Sequence, residues 1–119
     1  MRRKQGTLIE SEIALLLAAV ELKQRGVDRF HGYLIAREIE EAAGARQLLA
    51  YGTLYKTLAR LEDAGLLKSA WEVPEQSERE ARPRKRLYTV TAAGEGALAS
   101  ALAAQARPVT PLVTKGGLA

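Results

Sequence analysis

The stretch "YGTLYKTLARLEDAGLLKSAWEV", Tyr51 to Val73, changes its period partway along. Leu54, Leu58 and Leu61 recur at i, i+4 and i+7, the spacing of a helix that buries one stripe. Gly65 is a natural left-handed stop. Beyond it, Leu67, Ser69, Trp71 and Val73 alternate with Lys68, Ala70 and Glu72, the twofold period of a strand. The helix surface away from the leucines carries Thr53, Lys56, Thr57 and Arg60. Acids enter only at its far end, as Glu62 and Asp63. A solvated helix face ordinarily mixes both signs of charge, so a cationic, acid-free face asks for a partner.

Downstream, "RLYTV", Arg86 to Val90, is a second β-rich run. The polar segment "PEQSEREARPRK" between the two runs contains Pro74 and Pro83 and predicts a hairpin with a long flexible loop. Thr91 is a good N-cap for a last helix, "AAGEGALASALAAQA", which Pro108 and Pro111 stop near Arg107. At 1.5 Å per residue that helix is about 24 Å long. The tail "RPVTPLVTKGGLA" is predicted to be loose.

Upstream, "TLIE" fits a capping box with Thr7 as N-cap and Glu10 reaching back. Ile9, Ile13, Leu16 and Val20 then give helical spacing, broadened by Leu15, Leu17 and Leu22. That width suggests that the first helix touches more than its own domain. Gly26 ends it. In "VDRFHGYLIAREIEEAAG", Tyr33, Leu34, Ile35, Ile39 and Ala42 are expected on the core side, Arg37, Glu38, Glu40 and Glu41 in water, and Gly44 at the stop. The expected fold is mainly α with a small β-hairpin, in the order helix-helix-helix-strand-strand-helix. Two short helices with a brief connection, followed by a hairpin, describe a winged helix-turn-helix.

With 119 residues the chain has the length of one small domain. Residues 1–90 are expected to form the DNA-binding unit, 91–107 a C-terminal dimerisation helix and 108–119 a flexible tail. Cysteine is absent, which excludes disulfides, thiolate metal sites and cysteine nucleophiles. The one histidine, His31, lacks the companions a metal site needs and reads as a turn residue. No catalytic triad is visible, so an enzyme is the least favoured class, and no cofactor or metal is expected. The longest apolar run, Ile13 to Val20, is shorter than the roughly 20 residues needed to cross a membrane. Glu10 and Glu12 interrupt the one stretch that looks like a signal peptide. A cytoplasmic location is expected.

The formal net charge is +4, and "RPRKR", Arg82 to Arg86, accounts for all of it. Cations packed into one spot suit a polyanion. Arg82, Arg84, Lys85 and Arg86 are therefore wing candidates for a narrow minor groove or the backbone, with Arg84 and Lys85 foremost. Arg2, Arg3 and Lys4 read as a frayed terminus, with a DNA-binding arm as the alternative.

The pieces "HGYLIAREI" (31–39), "GTLYKTLARLEDAGLL" (52–67), Trp71 and "RKRLYTVTAAG" (84–94) occur together in order. In these the chain resembles the PadR family of transcriptional regulators over about residues 8–106. The resemblance implies a homodimeric, repressor-type regulator of double-stranded DNA bearing an inverted repeat. The third helix would enter the major groove, and the wing a flanking minor groove or the backbone. The last helix would form the dimer with the first, and effectors would be small aromatic or drug-like molecules. Ala50 and Tyr51 stand where the family often has a small capping residue and a proline. Lys56 stands where it often has another proline.

Within that reading Thr53, Lys56, Thr57 and Arg60 contact DNA, with Thr53, Lys56 and Thr57 reading bases. Tyr33, Tyr51 and Tyr55 are expected at phosphates, with packing the alternative for each. Trp71 reads first as wing core and second as a ligand platform. Two rival classes stay open. One is a protein-interaction winged helix, and the other a small-molecule-binding protein that does not engage DNA.

Overall fold

The structure of the chain is a computed structural model that describes residues 7–43 and 51–106. For Ala42, Ala43 and Tyr51 it describes the backbone alone. The terminal arm, the expected Gly44 stop, the connection through Ala50 and the tail from Arg107 lie outside the described residues. The elements are α1 (Glu10–Gln24), α2 (Gly32–Ala43), α3 (Tyr51–Asp63), β1 (Leu67–Trp71), α4 (Pro74–Arg79), β2 (Arg86–Val90) and α5 (Ala92–Ala106). This is the winged helix-turn-helix order with one short helix added inside the wing.

The cap of α1 lies two residues beyond the expected Thr7. Ile9 is the N-cap, in extended conformation, and its N–H donates to Glu12 Oε1 at 3.0 Å. Glu12 therefore plays the reaching-back part assigned to Glu10. The wide apolar surface of α1 is used within the chain, because α1 packs against α2, α3, α5 and β2. Leu15, Leu16, Ala18, Ala19 and Leu22 are all buried there. Ile35 and Ile39 of α2 and Leu54, Leu58 and Leu61 of α3 complete the core, as the periodicity predicts. Tyr33 does not join them; it is exposed.

β1 and β2 pair antiparallel, with Leu67 opposite Val90, Ser69 opposite Tyr88 and Trp71 opposite Arg86. Phe30, just before α2, adds a bridge to the free side of β2. Its N–H donates to Tyr88 O at 3.0 Å, and Tyr88 N–H donates to Phe30 O at 2.8 Å. The two rings stack with centroids 6.0 Å apart. The start of α2 is thereby fastened to the wing.

The wing segment differs from the expected flexible loop. Pro74 opens α4 near its N-terminus, where a missing N–H costs nothing. Ser77 is buried, donates its hydroxyl to Pro74 O at 2.9 Å, and accepts the Arg82 N–H on its carbonyl at 3.1 Å. Polar side chains fold this segment through local hydrogen bonds, so no apolar period betrays it.

Two close joints fix the far end. Gly65 takes φ +80° at the end of α3, the left-handed region that favours glycine. Thr91 caps α5 by accepting the Gly94 N–H at 3.0 Å, and donates its hydroxyl to Gly65 O at 2.7 Å. Gly94 lies so close to Leu66 that a Cβ there would collide with the Leu66 carbonyl oxygen. No helix among the described residues is long and apolar enough to cross a membrane.

Candidate nucleic-acid interface

α3 is helical because its leucine stripe docks on α1 and α2, and that docking decides what faces outward. Thr53, Tyr55, Lys56 and Arg60 are exposed. Thr57 is not: it is 0% exposed and donates its hydroxyl to Thr53 O at 2.9 Å. The expectation that Thr57 reads bases is therefore corrected. Thr57 stands three residues after Leu54 and four before Leu61, so it lies on the buried stripe rather than opposite it. Tyr51 begins α3, but its side chain lies outside the described residues.

The face of α3 is also not free of acid. Glu12 of α1 receives Arg60 Nε–H on its Oε2 at 3.1 Å. Arg60 Nη2 donates to Thr57 Oγ1 at 3.3 Å.

Beside α3, the start of α2 and the wing enclose an open cleft of about 380 Å³ lined by His31, Gly32, Tyr33, Tyr55, Arg84, Lys85 and Arg86. The Tyr55 ring lies over Gly32, and its hydroxyl occupies the space any Cβ at that position would need. A side chain at Gly32 would have to push the Tyr55 ring from this seat. His31 Nδ1 accepts the Leu34 N–H at 3.3 Å and so caps α2. Its ring stacks on Tyr33, with centroids 6.4 Å apart and planes 7° from parallel. Burial pushes the His31 pKa below its ordinary value, and the charges of Lys85 and Arg82 push it further down.

The four wing cations divide into different tasks. Arg82 is turned inward onto Glu72 with both Nη atoms, and its Nε–H donates to Glu80 Oε1 at 2.6 Å. The expectation that Arg82 reaches DNA is corrected, because its donors are spent on the wing. Glu72 also accepts the Lys85 N–H at 3.3 Å, which sets the backbone from which the cations project. Arg84 Nε donates to Glu72 O at 3.0 Å, and its guanidinium lies 5.9 Å from the Trp71 ring centroid. Arg86 lies 5.1 Å from the same ring, donates to Ser69 Oγ at 3.0 Å and stands 3.8 Å from Glu62 Oε2.

Trp71 is not wing core. It is 55% exposed and is flanked by the two guanidiniums. Trp71 shares a strand face with buried Leu67, four residues further along, yet it is exposed. A cation over an indole face is stabilised by about 0.5–1 kcal/mol at an exposed site. Trp71 thus orients arginines at the surface.

Tyr33 and Tyr55, from α2 and α3, and Arg84, Lys85 and Arg86, from the wing, therefore line one concave, cationic surface. Hydroxyls and cations converging on a groove suit a chain of phosphates. Among the described residues no group of three or more His, Cys, Asp or Glu sits where it would hold a metal ion. Sequence reasoning missed Glu12, Glu72 and the capping role of His31. The one visible signal was the acid at the third position of α1, just ahead of its apolar stretch.

The arrangement defines a winged-helix transcription factor scaffold. The sequence matches the Transcriptional regulator PadR-like family over residues 22–100, and the chain belongs to that family. Solved structures agree in fold. A transcriptional regulator from Clostridium thermocellum, Cth-833, superposes with a TM-score of 0.63 at 21% identity, covering 80% of this chain and 79% of that one. A PadR-like transcription factor from Bacteroides fragilis gives 0.58 at 26% identity, covering 80% and 78%. Bacillus subtilis PadR, solved in complex with operator DNA, gives 0.65 at 18% identity, covering 92% of this chain and 55% of that one. Comparison with curated proteins finds no match.

Proposed function

We propose that this chain is a sequence-specific DNA-binding regulator that acts as a homodimer on an inverted repeat, as a repressor relieved by a small aromatic or drug-like effector. The observation that carries the DNA reading is the shared cleft. Tyr33, Tyr55, Arg84, Lys85 and Arg86 meet there, and Thr53, Lys56 and Arg60, on the same helix as Tyr55, are exposed. Thr53 and Lys56 read base edges, Arg60 contacts a base edge or a phosphate, and the tyrosines and wing cations hold phosphates. The operator complex of Bacillus subtilis PadR supports this reading by family likeness.

The homodimer is supported by α5. Among its residues only Gly94 and Leu98 are buried, and Leu102 and a run of alanines remain exposed. α1, preceded by the exposed Ile9, is tied to α5 by the Lys23–Glu95 pair at 2.6 Å. Residues 1–90 then form the DNA-binding unit and the last helix the dimer. Two α3 helices in such a dimer would stand about 34 Å apart to meet successive turns of the major groove. An effector would act by binding more tightly to a dimer with the wrong spacing.

Selection of bound duplexes from a random pool at two salt concentrations tests the proposal. A palindromic consensus that survives the higher salt is the expected result. Binding without any consensus, or none at all, would overturn it.

A further inference from the structure

One acid stands behind the cationic face of α3, and it comes from another helix. Glu12 is only 2% exposed. Its Oε1 takes the Ile9 N–H at 3.0 Å and its Oε2 takes Arg60 Nε–H at 3.1 Å. Arg60 Nη2 is held in turn by Thr57 Oγ1 at 3.3 Å, and that hydroxyl points its own proton at Thr53 O. The guanidinium is thus gripped along one edge at two points, while 42% of the Arg60 side chain stays exposed. Burying a carboxylate is costly, and an apolar residue of similar volume often packs at least as well. Beyond packing, Glu12 accepts the Ile9 N–H at the start of α1 and grips Arg60 of α3.

We propose that Glu12 is the positioning residue for Arg60 and sets the discrimination of α3 between its operator and unrelated DNA. The inference rests on the DNA-binding reading above. A preset guanidinium loses less freedom when it meets its target, which favours the geometry of the correct site. A fixed negative charge behind it also weakens attraction to phosphates in any other register, which acts against wrong partners.

Two measurements on the full chain test this. In the free protein, NMR follows exchange of the Arg60 Nε–H with water. Glu12→Gln is expected to speed it by about tenfold or more, in line with loss of a charge-assisted hydrogen bond. Binding is then compared for a duplex selected from the random pool and a scrambled duplex of equal composition. Glu12→Gln is expected to tighten the scrambled duplex and to lower the selected-to-scrambled ratio by about tenfold, a coupling typical of contacting residues. With Arg60→Ala already present, Glu12→Gln should no longer change the ratio. Glu12→Leu must give the same pattern, which separates loss of positioning from loss of fold. An unchanged exchange rate, an unchanged ratio, or an equal fall without Arg60 would overturn the proposal. A wild-type chain that binds no duplex sinks the reading of the previous subsection, and the exchange rate then still decides whether Glu12 holds Arg60.

Discussion

Arg82 meets Glu72 through two parallel hydrogen bonds, Nη1 to Oε1 and Nη2 to Oε2, each 2.7 Å long. The fork geometry matches the carboxylate, and the pair closes the loop that carries α4. Arg82 holds the Glu72 carboxyl down to about 2. A carboxylate with a depressed pKa contributes stability above its ordinary value of 4.5, and that contribution is lost as pH falls through the lower one. The wing of the wild-type protein should therefore hold its shape until acidification between pH 4.5 and 2. Amide exchange at Lys85, whose N–H donates to Glu72, is the probe. Arg82→Ala should move that transition up toward the ordinary carboxylate range. An unchanged transition would show that the clip does not order the wing.

The division of labour among the cations gives a second set of outcomes. Lys56→Ala and Thr53→Ala should each cost about 1–3 kcal/mol on the selected duplex and relax its sequence preference. Arg84→Ala and Lys85→Ala should weaken all duplexes alike and lower the slope of log K against log salt by about 0.9 each. Thr57→Val should lower the sequence preference only through Arg60, whose Nη2 donates to the buried Thr57 hydroxyl. Affinities measured across 50–200 mM salt distinguish these patterns.

His31 yields a pH prediction of opposite character. In the free protein its pKa lies below 6.5, from burial first and from Lys85 and Arg82 next. Its neutral Nδ1 caps α2, so stability is full above the ordinary value and declines as pH falls through the lowered one. A phosphate seated in the cleft would add negative charge near the ring and raise that pKa. Binding should thus take up a proton and tighten as pH falls. NMR titration of His31 with and without duplex measures the shift. An unshifted His31 would place the phosphates outside the cleft.

Gly94 and Gly96 sit two residues apart on α5 and should respond in opposite directions. A Cβ on Gly94 meets the Leu66 carbonyl, whereas a Cβ on Gly96 meets nothing within 4 Å. Gly94→Ala should destabilise by about 1–3 kcal/mol through overpacking. Gly96→Ala should stabilise by roughly 0.5–1 kcal/mol through helix propensity. Urea denaturation of the two variants checks both signs.

The fold was legible wherever burial imposes a period. Leu54, Leu58 and Leu61 marked α3, and the alternation from Leu67 marked β1, because each packs one side only. α4 was hidden because its folding depends on Ser77, Glu72 and Arg82 rather than on an apolar stripe. Thr57 was misjudged because its polar side chain outweighed its spacing, three residues after Leu54 and four before Leu61, which places it on the buried stripe. The inward turn of Arg82 was invisible for a related reason: Glu72 reads as the outward member of an alternating strand, yet it is nearly buried. Charges in sequence show how many cations a wing has, and only their partners show which of them remain available.

The backbone bridge between Phe30 and Tyr88 makes the hairpin and the entrance to α2 a single lever. Any event that tilts the hairpin must drag Phe30, and with it the neighbouring His31 cap and the Gly32 seat on which Tyr55 rests. Grip on the groove's edge and aim at its floor are geared together, so one cannot be released while the other stays engaged.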